Sequence, residues 1–90
     1  MKFYIKKFKV DRYVYWVNFY NDGASIRQVG ITPQYVHAKT QLELLRKIWA
    51  ERTVGLTLNQ IAEDWEEWVK YHYAPELLEL INKEMNKTPA

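Results

Sequence analysis

The chain has no cysteine. Disulfide stapling, zinc–thiolate sites and thiol catalysis are excluded together. Glycine and proline are scarce, three of each, which excludes collagen-like and low-complexity classes. Long apolar runs are missing as well. Nothing approaches the ~20 residues of a membrane span, and the opening Met1-Lys2-Phe3-Tyr4-Ile5-Lys6-Lys7 contains no apolar run of signal-peptide length. A soluble, cytoplasmic protein with no membrane partner is expected. Ser25 is the only serine, it lies beside a turn signal, and no G-x-S-x-G surrounds it. There is no Gly-rich phosphate loop. His37 and His72 stand 35 residues apart, without the clustered spacing of metal ligands. The expectation is a non-enzyme that needs neither metal nor cofactor.

What is present is aromatic. Seven Tyr, four Trp and three Phe in 90 residues let one small domain, residues 1–90, build a real core. The net charge of +2 is unevenly spread. Residues 1–39 carry Lys2, Lys6, Lys7, Lys9, Arg12, Arg27 and Lys39 against Asp11 and Asp22, a net +5. Residues 57–90 carry three lysines against seven acids, a net −4. Either the basic front meets a polyanion, or the two halves complement each other within one fold.

Lys2 to Val10 reads as a strand, with Phe3 and Ile5 alternating with polar neighbours. Phe8 and Val10 fall on the opposite face, and a bulge at Lys6-Lys7 would restore a single apolar face. Tyr13 to Tyr20 is the strongest strand, built from aromatic and β-branched residues. Tyr13, Tyr15, Val17 and Phe19 share one face; Val14, Trp16, Asn18 and Tyr20 share the other. Both faces are rich, so one must expose aromatics or be covered. Asn21-Asp22-Gly23 is a hairpin turn signal, and Ala24 to Ile31 reads as a third, antiparallel strand closed by Thr32-Pro33. A three-stranded meander over 1–31 results.

Residues 40–86 read as helical. Thr40-x-x-Glu43 and Thr57-x-x-Gln60 are capping boxes, and Gly55 is a stop. Leu42, Leu45, Ile48 and Trp49 form one apolar stripe; Leu58, Ile61, Trp65, Trp68, Val69 and His72 form a second. Pro75 suits the first turn of a third helix with the stripe Leu77, Leu78, Ile81 and Met85, and a frayed tail follows over 87–90. The fold class is α+β, a three-stranded antiparallel meander followed by two or three helices on one sheet face.

The acids Glu63, Asp64, Glu66 and Glu67 read as a solvated helix face, with Glu66 reaching Lys70 at i,i+4. Residues 56–62 look like the first helix of a helix-turn-helix, but an acidic continuation through Trp65-Glu66-Glu67-Trp68 would repel phosphates. The candidate surface is instead an uncovered sheet face presenting Lys2, Tyr4, Lys6, Trp16, Asn18, Tyr20, Arg27 and Gln28. Its cations suit phosphates, its amides and arginine suit base edges, and its aromatics suit unpaired bases. Alternatively, Trp16 and Tyr20 lie under a helix and the lysines keep a sheet edge soluble.

Trp16 in the second strand, the Asn21-Asp22-Gly23 turn and the Lys39-Thr40 helix start together resemble the N-terminal arm-binding (AP2-like) domain of phage-type tyrosine recombinases, the integrases. Leu56-Thr57, Ile61-Ala62 and Trp65 are similar to the start of that family's next domain. The resemblance spans roughly residues 3–68 and implies a sheet lying in the major groove, with Trp16, Asn18 and Arg27 facing DNA. The third strand departs from the family in lacking its basic run, and 90 residues leave no room for the recombinase active site. A fragment or a free-standing relative is implied, neither able to recombine DNA alone. The expected function is thus a DNA-binding module of a phage or other mobile element, with double-stranded DNA as partner. The alternative is a small interaction module that inhibits or recruits a host protein through aromatic and acidic surfaces.

Overall fold

A computed structural model describes residues 1–51 and 58–89. They form β1 (Lys2–Val10), β2 (Tyr13–Asn21), β3 (Ile26–Thr32), α1 (Tyr35–Glu51), α2 (Leu58–His72) and α3 (Pro75–Met85). The strands make one antiparallel sheet in the order β1-β2-β3, the meander that the alternating segments predict. The Gly55 stop and the Thr57 capping box lie outside the described residues.

The hairpin turns follow from local chemistry. Asp22 Oδ1 accepts hydrogen bonds from the backbone N–H groups of Ala24 and Ser25, and Asn21 Oδ1 accepts one from Gly23, where φ is +87°. These bonds occupy Asp22 to Ser25, so β3 begins at Ile26 rather than Ala24. Asp11 supplies positive φ in the β1–β2 turn, which Asp tolerates better than most residues.

No bulge interrupts β1. Its register with β2 runs unbroken from Lys2↔Asn21 to Val10↔Tyr13. Phe3 and Phe8 therefore project from opposite faces, and both are buried because the sheet has a core on each side. On one face Phe8, Val17, Phe19 and Ile31 pack with Leu77 and Ile81 of α3 and Val69 of α2. On the other face Phe3, Tyr20 and Val29 pack with Leu45 of α1 and Leu58 and Ala62 of α2. Each Val, Leu, Ile or Phe side chain among them is worth about 1.5–3 kcal/mol when fully buried. The helices thus cover both faces, not one. α2 packs along β3 and joins the two cores around that edge, which leaves β1 as the open edge. The irregularity in the sheet lies in β3: Asn18 pairs Gly30 and Phe19 pairs Gln28, so Val29 is the extra residue and turns toward α1.

α1 starts at Tyr35, five residues before the Thr40 capping box. Thr40 instead bonds back to the Val36 carbonyl, and Thr32 Oγ1 accepts from the Gln34 N–H just before the helix. α3 starts as predicted, with Pro75 in its first turn. The tail after it is tied down in part, since Lys87 ion-pairs with Glu84.

Candidate nucleic-acid interface

The eight residues expected on one open face divide between two closed ones. Lys2, Tyr4 and Lys6 pair with Asn21, Phe19 and Val17, so they point toward α3. Trp16, Asn18 and Tyr20 pair with Lys7, Ile5 and Phe3, so they point toward α1. Strand alternation over an unbroken register permits no other grouping.

On the α3 face, Tyr4 stacks on Phe19 with ring centroids 5.4 Å apart and donates its hydroxyl to Glu84 Oε2 at 2.9 Å. Lys6 and Lys87 both bond Glu84 Oε1. Burial alone would raise the Glu84 carboxyl, but the hydrogen bonds from Lys6, Lys87 and Tyr4 outweigh it and hold the group at about 2. Burial and the Glu84 contact push the Tyr4 phenol well above its usual range. Lys6 and Tyr4 therefore anchor α3 to β1 rather than meeting a phosphate. Gln28 is 1 % exposed and accepts the Gly30 N–H at its own Oε1. Lys2 alone of this group is exposed and without an ion pair among the described residues.

On the α1 face, Asn18 is fully buried. Its Nδ2 donates to the Ala38 carbonyl at 3.1 Å and to Gln41 Oε1 at 2.8 Å, so it joins helix to sheet and cannot read a base. Gly30, at φ +155°, makes room for that contact, since a Cβ there would lie 2.1 Å from Gln41 Oε1. Tyr20 is 1 % exposed and donates its hydroxyl to Asn59 Oδ1 at 2.9 Å. Arg27 pairs with Glu66, its Nη2 2.9 Å from Oε1, in place of the expected Glu66–Lys70 pair. Burial disfavours the Arg27 charge, and the Glu66 carboxylate more than restores it.

Trp16 is the exception. It is half-buried, edge-on to Tyr35 with centroids 4.8 Å apart, and Lys7 Nζ lies 5.6 Å from its ring centroid. Tyr35 is 47 % exposed. This stack sits where α1 leaves the sheet, and α1 then runs along β2. Gln41 reaches β3, which fixes one flank of the helix. At 100° per residue, Tyr35, Lys39, Leu42, Arg46 and Trp49 fall on the other flank, toward β1. Leu42 packs into the core, while Lys39 and Arg46 are exposed. β1 adds Lys7 and Lys9 on the same sheet face and contains no acid. Among the described residues Lys7, Lys9, Lys39 and Arg46 form no ion pair. The flank extends over about 21 Å from Tyr35 to Trp49. The sequence signal for it was present: lysines two apart on β1 and cations seven apart on α1.

The opposite pole is acidic. Trp68, expected in a buried stripe, is half-exposed and stacks on His72 instead, with centroids 3.7 Å apart and planes at 26°. Among the described residues no group of three or more His, Asp or Glu is placed to hold a metal, and no helix is long and apolar enough to cross a membrane. No family model, curated protein or solved structure matches the chain.

Proposed function

We propose that this protein is a non-enzymatic nucleic-acid-binding module that holds a single strand along the α1–β1 flank. The observation that carries the reading is the Lys7–Trp16–Tyr35 stack, continued by Lys39 and Arg46. Cations in a row neutralise successive phosphates, and an exposed aromatic beside them offers a base a stacking partner. An open sheet entering the major groove, as in the integrase arm-binding domains, is not available here, because helices pack on both faces. A strand lying beside a helix is. Such a target goes with a cytoplasmic protein, and with the phage or mobile-element setting the sequence suggests.

The test is fluorescence anisotropy with a labelled oligothymidine and with a duplex, at about 50 and about 200 mM salt. Binding to the single strand weakens with salt, with a log–log slope of about −0.7 per phosphate contacted. Lys7→Ala and Arg46→Ala each reduce that slope by about one contact. An affinity that does not change with salt, or that survives both substitutions, overturns the reading.

A further inference from the structure

The solvent side of α2 carries a second aromatic surface of opposite charge. Trp68 is 50 % and Tyr71 76 % exposed, on a helix whose inward residues Leu58, Ala62 and Val69 are buried. The Trp68 indole separates two shallow clefts. One, of about 290 Å³, lies between Trp65, Trp68 and Asp64. The other, of about 470 Å³, adds Glu63, Glu67, Tyr71 and His72. Asp64 and Trp68 border both clefts, and the indole stacks on His72. Gln60 Nε2 donates to Asp64 Oδ1, one turn along the helix, and Oδ2 faces solvent without a hydrogen bond among the described residues. Scattered exposed apolar residues need no explanation, but two exposed aromatics on adjacent turns do.

We infer that this face docks an arginine-bearing, basic segment of a partner protein. Charge decides the occupant. Glu63, Asp64 and Glu67 surround the indole, and Lys70 is the one lysine on α2. Phosphates are repelled, so a nucleic acid is the wrong ligand. An apolar partner would leave the carboxylates desolvated and unpaired. A guanidinium satisfies both features, because its plane stacks on an indole while its edge bonds a carboxylate. An ammonium has no such plane, and lysine fits less well. The inference is independent of the nucleic-acid reading, since the two surfaces share no residue.

The experiment titrates the full chain with nona-arginine and nona-lysine peptides, read by calorimetry and by the indole N–H resonances. The arginine peptide binds more tightly and shifts the Trp65 and Trp68 indoles, not that of Trp16. Trp68→Ala weakens it about fivefold, and Asp64→Asn about threefold. Glu79→Gln on α3, a charge control, leaves it unchanged. Both half-exposed positions keep the fold, which circular dichroism verifies. Three results overturn the proposal: equal affinity in Trp68→Ala, equal loss in the α3 control, or self-association of the chain that Trp68→Ala abolishes, which would make a second copy the occupant.

Discussion

The α1–β1 flank and the outer side of α2 each set exposed aromatics among charges, mostly basic on the first and mostly acidic on the second, yet they are held in different ways. Trp16 belongs to the middle strand, so its position is set by pairing on both sides and by the helix packed next to it. Trp68 is half-exposed and stacks on His72, one turn along its own helix. The first surface is therefore as rigid as the sheet, and the second as adaptable as a side chain. That suits a regular polyanion on one side and a variable peptide on the other. The comparison also shows how the charge asymmetry of the chain is resolved. Part of it is consumed inside the fold, where Lys6 meets Glu84 and Arg27 meets Glu66 across 78 and 39 residues. Of the remainder, one basic and one acidic group gather beside exposed aromatics, while Lys47 and Glu51 pair along α1.

The largest expected effect breaks the rigid side. Gly30→Ala drives a methyl into Gln41 and forces an L side chain into positive φ, destabilising the protein by about 3 kcal/mol. Urea denaturation measures it. The double variant Gly30→Ala with Gln41→Ala recovers the part due to overlap but not the part due to backbone conformation.

Next comes the anchor of α3, which serves neither surface. Glu84→Gln costs about 2 kcal/mol at neutral pH, because Lys6, Lys87 and Tyr4 lose a charged acceptor. Its pH dependence has a fixed sign. The Glu84 carboxyl sits at about 2 in the folded chain against an ordinary 4.5, so its stabilisation is complete above the ordinary value and is lost as pH falls through about 2. Acid unfolding of the wild type should steepen across that window, and the variant should be flatter there.

Much of this architecture is legible in the sequence, for physical reasons that differ between elements. β2 is readable because a two-sided aromatic strand has few other uses, but its richness on both faces fits an exposed aromatic face as well as a second cover, and the structure covers both. The hairpin turn at Asn21-Asp22-Gly23 and the start of α3 at Pro75 are readable because their chemistry is local. The register of β1 is not, since Phe3 and Phe8 fit either a bulge beneath one core or a straight strand between two. The Thr40 capping box misleads because a capping residue needs a free helix end, and α1 is already a turn old there. Glu66 illustrates the same limit among charges. Lys70 is its visible neighbour at i,i+4, but Arg27 from β3 is its partner. Of the residues expected at the site, Trp16 stays half-buried beside Tyr35, whereas Asn18, Tyr20, Arg27 and Gln28 are consumed by packing that a strand pattern does not reveal.

The smallest effect sharpens the comparison. Trp68→Ala lowers stability by about 1 kcal/mol, since the ring is half-exposed, and leaves oligonucleotide affinity unaltered. A large loss of oligonucleotide affinity would mean that α2 supports the basic surface after all.

The most direct test of the division between the poles is an amide chemical-shift titration of the full chain with oligothymidine at low salt. Shifts gathered on residues 3–9 of β1, Trp16 and residues 35–49 of α1, with residues 60–72 silent, are the predicted result. Shifts centred on α2, or no shifts at all, would contradict it.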